Sequence, residues 1–140
     1  MTDSQRFIDN GNGTITDTLM KLMWKKTDSL QDTQKWKNWF RGQEYLQIVN
    51  LERFGGFEDW RYPREEEAYS LFELDKTNQD KYGDDIYLDP IFEAGSAGVT
   101  WTEDTKGSAS LIIQYEDGMK VWPSQYANLN MAVRLVRSLS

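Results

Sequence analysis

The sequence contains neither cysteine nor histidine. Their absence excludes thiol nucleophiles, histidine-dependent catalytic triads, zinc sites built on thiolate or imidazole, and iron–sulfur clusters. It also excludes disulfides, so nothing in the chain requires an oxidising compartment, and we expect a cytoplasmic location slightly more than a secreted one. The first residues carry no apolar signal-peptide core, and no apolar run approaches the length of a membrane span. We therefore expect no membrane insertion, while a signal peptide already removed stays open.

Positive charge is also scarce, with 16 Lys and Arg against 23 Asp and Glu and a net charge of −7. Such a balance argues against a protein that grips nucleic acid or an anionic membrane. The local exception is the segment from Lys21 to Arg41, where lysines alternate with Trp24, Trp36 and Trp39. Lysine and tryptophan together can bind single-stranded nucleic acid, but we favour a solvated helix face over a Trp-filled core. We expect no nucleic-acid partner.

Aromatic residues are abundant, at 14% of the chain against a hydrophobic share of 39%. The 140 residues predict a single domain over 1–140. Trp and Tyr bury large areas but need a polar partner or a wet edge. Some of these rings therefore complete the core, and others are candidates for a binding surface.

The opening stretch FIDNGNGTIT raises three interpretations: a calcium loop, a phosphate cradle or a tight turn. A calcium loop starting at Asp9 needs oxygen ligands where Gly11 and Gly13 stand, and a phosphate loop needs a lysine after the glycines. Asn-Gly between β-prone runs is instead the signal of a hairpin, whose turn requires positive φ. We predict a β-hairpin that places the N-terminus in a sheet.

The middle of the chain predicts two helices. The first covers Thr33 to Leu51, and the second starts after Pro63 with a glutamate run in its first turn and apolar positions at Ala68, Leu71, Phe72 and Leu74. Residues 75–89 read as a long polar loop, functional or mobile. Four strands follow in VTWTED, SLIIQYEDG, MKVW and MAVRLVR. The order predicts an α+β fold with a sheet that joins both termini.

The segment GGFEDWRYP, at residues 55–63, has two interpretations. In the functional one, Asp59 is an acid or base and Arg61 is an anion clamp. In the structural one, both side chains make hydrogen bonds that hold the loop, and Trp60 anchors the second helix on the core. We favour the structural interpretation, because a Trp between opposite charges commonly pins a loop.

Taken in order, FIDNGNGTITDT, LMW, GGFEDWRYP, DPIF, WTED, YEDG and VRLVR resemble a bacterial family typified by the C-terminal domain of the Legionella collagen-like protein. The resemblance spans Phe7 to Arg137. It implies a C-type lectin-like fold, related to formylglycine-generating enzymes, with an N-terminal hairpin and C-terminal strands in a mixed or antiparallel sheet and two helices. Members of the family are mostly ligand-binding or adhesive modules, and some are variable proteins of diversity-generating retroelements. Where the family often has a Cys pair, this chain has Leu135 and, approximately, Ile48.

The resemblance implies binding by the last strands and their loops, and we predict a non-enzymatic module for a carbohydrate or protein ligand. Aromatic and amide side chains combine stiff contact area with adaptable hydrogen bonds. The predicted site residues are Trp101, Glu103, Trp122, Gln125, Tyr126, Asn128 and Asn130.

Three alternatives stay open. The same surface can be a subunit interface of a homo-oligomer. A carboxylate-dependent hydrolase would use Glu103 with Asp104, or Asp84 with Asp85, although neighbours on a strand point to opposite faces and make a poor dyad. No cofactor is required, but lectin-like folds often bind calcium, and hard cations need only oxygen ligands. The calcium candidates are Asp84, Asp85, Asp89, Glu103 and Asp104.

Overall fold

The computed structural model describes residues 5–139, and over that range the chain is α+β with antiparallel sheets. The strands are β1 (Phe7–Asp9), β2 (Thr14–Asp17), β3 (Leu22–Lys25), β4 (Asn78–Gln79), β5 (Asp85–Ile86), β6 (Val99–Lys106), β7 (Ala109–Gln114), β8 (Lys120–Val121) and β9 (Val136–Ser138). The helices are α1 (Ser29–Thr33), α2 (Trp39–Leu51) and α3 (Glu65–Ser70), with a 3-10 turn at Phe54–Gly56. No helix in the described range has the length and apolar character to cross a membrane.

The first sheet has the strand order β1-β2-β3-β9 and joins both ends of the described chain, as the sequence predicted. Its first hairpin turns through Gly11 and Gly13, which have φ of +78° and +85°. Non-glycine residues rarely adopt such angles, so the glycines serve backbone geometry. The predicted hairpin is confirmed.

The second sheet has the order β6-β7-β8, and its β7–β8 turn uses Glu116–Gly118 as predicted. The predicted strand MAVRLVR is wrong over most of its length, because only its end enters β9, which belongs to the first sheet. Residues 131–135 bond instead to several segments. For example, the Val133 N–H donates to Ser29 Oγ and the Arg134 N–H donates to Thr100 Oγ1. An extended segment whose partners are not one strand forms no ladder.

The first predicted helix begins too early. Asn38 is the N-cap of α2, its side chain accepting the Arg41 N–H at 2.8 Å, so the helix starts at Trp39 and not at Thr33. The short helix α1 precedes it and ends at Gln34, which has φ of +61°. The second predicted helix is confirmed as α3, with glutamates in its first turn. Leu74, predicted on its apolar face, lies beyond the helix and is exposed.

Two apolar clusters lie on either side of β7. Ile113 packs with the terminal sheet and α3, while Ile112 packs with a cluster that contains Trp60, Trp101 and Leu135. Ile48, the approximate match to the second family cysteine, is 54% exposed on α2 and does not pair with Leu135. These clusters supply most of the buried apolar area and so hold the two sheets together.

In the segment Gly55–Pro63, Asp59 and Arg61 make hydrogen bonds that hold the loop, as we favoured, but Trp60 packs with α2 and not with the second predicted helix. The Asp59 carboxylate accepts a bond from Arg137 Nε at 2.7 Å, and the Arg61 guanidinium donates twice to Glu67, at 2.8 and 2.9 Å. Trp60 is buried, and its indole donates to the Phe54 carbonyl. Paired donors from one planar guanidinium fix orientation as well as distance. The segment therefore ties α3 and β9 together.

Candidate functional site

An open cleft of about 370 Å³ lies beside the second sheet, and five separate segments of the chain line it. Its lining consists of Trp36, Asp80, Tyr82, Asp84, Ile86, Ala97, Gly98, Val99, Ile112, Gln114, Glu116, Leu129, Asn130 and Met131. Apolar side chains of β5, β6 and β7 contribute to it together with carboxylates, amides and two aromatic rings. Ligand sites combine apolar and aromatic walls with polar groups that fix orientation, and this concavity has both kinds of lining.

The turn between β4 and β5 carries three of the lining side chains. The Asp80 carboxylate accepts the N–H groups of Tyr82 and Asp84, at 2.8 and 3.0 Å, and Gly83 supplies φ of +81°. The Lys81 N–H donates to the Ser96 carbonyl at 2.8 Å, which fixes the turn to the chain before β6. An Asp whose carboxylate accepts backbone N–H groups of its own turn stabilises that turn locally. The stretch predicted as a long loop is therefore a small hairpin in a fixed position.

Trp36 reaches the cleft from the connection between α1 and α2. The next residue, Lys37, donates its N–H to the Met131 carbonyl at 2.8 Å and accepts the Trp101 indole N–H at 3.0 Å. Trp101 is 0% exposed, so its ring does not reach the surface where the sequence placed it. A buried indole usually finds a hydrogen-bond acceptor, and here the acceptor belongs to the segment that carries Trp36. Trp101 is a positioning residue.

The connection after β8 forms another part of the cleft. Gln125 is only 8% exposed, and its amide donates to Ser110 Oγ at 3.0 Å, so it anchors this connection from inside. Asn130 lines the cleft with φ of +66°, a conformation that Asn tolerates better than most residues. Asn128 is exposed, and its carbonyl accepts the Met131 N–H. Of the predicted site residues, all within residues 5–139, Asn130 is the one that lines the cleft.

The remaining predicted residues lie in three other places. Tyr126 is 70% exposed, and its ring lies 5.1 Å from that of Phe40, at the start of α2. Trp122 is 37% exposed next to the Lys106 ammonium, which lies 4.7 Å from a ring centroid of that Trp. Glu103 faces Arg64, with 3.5 Å between charged atoms. The structure therefore does not bring the predicted set together as one surface.

The acidic candidates for calcium are also separated. Within the described range, no group of three or more acidic side chains is arranged to hold a metal ion. Asp104 accepts the Glu65 N–H at 2.8 Å, at the start of α3, and Asp89 accepts the Ile91 N–H at 2.8 Å. Calcium needs six to eight oxygen ligands around one point, so this arrangement does not support the calcium prediction.

The cleft combines features that bind flat or charged groups. Carboxylates of Asp84 and Glu116 and amides of Gln114 and Asn130 line it with the rings of Trp36 and Tyr82. Sequence reasoning missed Trp36, which it placed in a helix, and Tyr82. The usable signal was the long polar segment around KYGDD, because long loops in compact domains are often functional.

Comparison with known proteins gives one match. A family model described as the Lcl C-terminal domain matches residues 13–137, a range that includes every segment lining the cleft. No curated protein and no solved structure matches the chain.

Proposed function

Because the chain belongs to the Lcl C-terminal domain family, we propose that it is a non-enzymatic recognition module whose ligand binds in the cleft. Within the same proposal, its α+β architecture is of the C-type lectin-like kind. The observation that carries the proposal is the fixed convergence of Trp36, Tyr82 and Asn130, from three separate segments, on one concavity.

Preorganisation supports binding at this place. The segments with Trp36 and Tyr82 are each held by backbone hydrogen bonds at 2.8 Å, to Met131 and Ser96 respectively. Rigid aromatic side chains on a fixed frame lose little conformational entropy when a ligand arrives. Flat sugar rings or planar groups of a protein partner can stack on the two rings, while Asn130 offers an amide donor and acceptor. Carbohydrate and protein ligands both suit this chemistry.

The contacts of the acid–base candidates support a role without catalysis. Glu103 and Asp104 lie outside the cleft, and each already engages a partner at the start of α3. Of the other candidate pair, Asp84 lines the cleft and Asp85 does not, so these neighbours do not present two carboxylates to one bound ligand. General acid–base work needs a carboxyl group within reach of the reacting bond and available for proton transfer.

A binding screen with two tryptophan variants tests the proposal. A glycan array and a peptide library would be probed with wild type, Trp36→Ala, and the matched control Trp122→Ala, which removes a partly exposed Trp outside the cleft. We expect Trp36→Ala to weaken binding at least about tenfold, as central aromatic contacts commonly do, and Trp122→Ala to leave it unchanged. If Trp122→Ala abolishes binding and Trp36→Ala does not, the cleft is the wrong site. Circular dichroism of each variant checks its fold.

Assembly is a second candidate function, favoured by a different observation. Tyr126 and Phe40 are exposed aromatic side chains at the start of α2, and their ring centroids lie 5.1 Å apart. Exposed aromatic patches are common in interfaces between subunits. This candidate predicts a concentration-dependent oligomer in light scattering that Tyr126→Ser disrupts, with ligand binding in the cleft unaffected.

A further inference from the structure

The aromatic pair of the cleft already holds a cation. The Lys81 ammonium lies 4.9 Å from a ring centroid of Trp36 and 5.4 Å from the ring centroid of Tyr82. Both distances are within the range of cation–π attraction. Within residues 5–139 Lys81 has no carboxylate in an ion pair, although the cleft contains carboxylates. The two rings are therefore placed so that one ammonium group contacts both of them, as the Lys81 ammonium does.

The charge of the lining agrees with that geometry. Asp80, Asp84 and Glu116 line the cleft, and within the described part of the chain the cation against its rings is that of Lys81, which reaches them from beside the lining. Asp84 and Glu116 likewise have no ion-pair partner among residues 5–139. The net charge of −7 adds a general attraction for cations. Carboxylates near an aromatic face strengthen binding of a cation and oppose binding of an anion.

We propose that the cleft selects a cationic side chain, lysine or arginine, presented by a basic peptide segment of a protein partner. This inference rests on the proposed function and chooses between its two ligand classes. A peptide suits the cleft better than a free amine, because Gln114 and Asn130 offer amide donors and acceptors for the peptide groups beside the basic residue. A neutral glycan leaves the carboxylates without a matching charge.

Lys81 acts in this proposal as an internal competitor. Its ammonium must leave the two rings before a ligand cation takes the same place, and until then it repels that cation. Removing the charge with Lys81→Met should therefore tighten binding, whereas removing a ring should weaken it. For a ligand that contacts only the rim of the cleft, we do not expect affinity to rise when the Lys81 charge is removed and to fall when a ring is removed.

Isothermal titration with blocked tripeptides tests the inference. The probes are Gly-Lys-Gly and Gly-Arg-Gly, with Gly-Glu-Gly, tetramethylammonium and maltotriose for comparison. We expect the basic peptides to bind, Trp36→Ala to weaken them about 3-fold to 30-fold, and Lys81→Met to tighten them about 2-fold to 10-fold. Binding should also weaken as salt is added. The variant Tyr82→Ala repeats the ring test at an exposed position should Trp36→Ala fold poorly.

The matched control is Lys106→Met, which removes a lysine stacked on a Trp outside the cleft, at 4.7 Å. It should leave the affinity for basic peptides unchanged. If Lys81→Met weakens these peptides or has no effect, the inference is wrong. If maltotriose binds and Trp36→Ala abolishes that binding while basic peptides do not bind, the inference fails and the proposed function stands. If Trp36→Ala changes the binding of no probe, both fail. Tetramethylammonium binding as tight as the peptides would overturn the peptide assignment.

Discussion

Gly42 of α2 occupies a position where a methyl group has no room. A Cβ added there would overlap the hydroxyl oxygen of Tyr62 and stand 3.1 Å from Cζ of the same ring. Tyr62 cannot move aside easily, because its ring is buried and its hydroxyl donates to the Trp39 carbonyl at 2.8 Å. We therefore predict that Gly42→Ala destabilises the protein, although alanine is the better helix former.

The two opposing effects can be compared in magnitude. Alanine gains up to about 1 kcal/mol over glycine inside a helix. Forcing a methyl group into a packed core costs about 1 to 3 kcal/mol. Displacing the Tyr62 hydroxyl loses a hydrogen bond that contributes about 0.5 to 1.5 kcal/mol. The steric and hydrogen-bond effects outweigh propensity, and we expect a net loss of about 1 to 3 kcal/mol in the free energy of unfolding.

Urea denaturation of four proteins measures this effect: wild type, Gly42→Ala, Tyr62→Phe and the double variant. Without the hydroxyl the added methyl group has more room, so Gly42→Ala should cost at least about 1 kcal/mol less in the Tyr62→Phe background. Gln47→Ala, at an exposed position of the same helix, is the control and should stay within about 0.5 kcal/mol of wild type. A Gly42→Ala protein more stable than wild type would refute the packing argument.

Three further predictions concern the frame around the cleft. Burial alone would raise the pKa of Glu67, but hydrogen bonds, above all from Arg61, outweigh it and hold that pKa below its ordinary value of 4.5. The ionised carboxylate thus stabilises the fold above about pH 4.5, and this stabilisation is lost as the pH falls through the lowered pKa. In Glu67→Gln the free energy of unfolding should therefore fall less steeply between neutral and acidic pH. An unchanged pH dependence would contradict this. Trp101→Phe should lower the free energy of unfolding in urea by about 1 kcal/mol or more, because it removes the donor from the partly buried carbonyl of Lys37. An unchanged midpoint would mean that water replaces the lost donor. Gly118→Ala should lower the melting temperature, because φ of +78° costs alanine about 1 to 2 kcal/mol and the added Cβ would lie 2.6 Å from the Phe72 ring. No change would mean that both the turn and the ring move aside freely.

Turn and helix-start residues in the sequence predicted those elements whose conformation depends on neighbouring residues. The first hairpin follows from glycines that must take positive φ, and α3 follows from Pro63 and a glutamate run. The predicted start of α2 was wrong because Asn38, a good N-cap, lies inside an otherwise helical pattern. The prediction of MAVRLVR as one strand was wrong for a different reason. Alternation of apolar and polar residues indicates extended backbone, but it does not identify the partner of its hydrogen bonds.

The cleft was harder to predict, because burial there depends on contacts distant in sequence. Thr100, Trp101 and Thr102 are all buried in β6, so alternation along that strand does not separate an inner from an outer face. Trp36 and Trp101 both lie in polar surroundings in the sequence. What distinguishes them is the bond from the Trp101 indole to the Lys37 carbonyl, 64 positions away.

The motifs that resemble the family lie mostly in the frame rather than in the cleft. Buried Asp17, the last but one residue of the first motif, accepts bonds from Arg6 and from the Trp24 indole, at 2.9 to 3.1 Å. Asp59 and Arg137, from two other motifs, bond to each other. The buried carboxylate of Asp17 tolerates little substitution, because loss of one partner leaves the other unpaired inside the protein.

Most of the charged, aromatic and amide side chains of the cleft, by contrast, lie outside the motifs. Trp36, Lys81, Tyr82 and Asn130 all lie between the motifs, in a connection, a turn and a loop. Exposed side chains on such segments can change without loss of the fold. The family match therefore identifies the frame, while the proposed ligand site uses residues that the motifs do not include. The two classes of residue should respond differently: substitutions at Asp17 lower stability, and substitutions at the exposed Lys81 or Tyr82 change affinity at nearly constant stability.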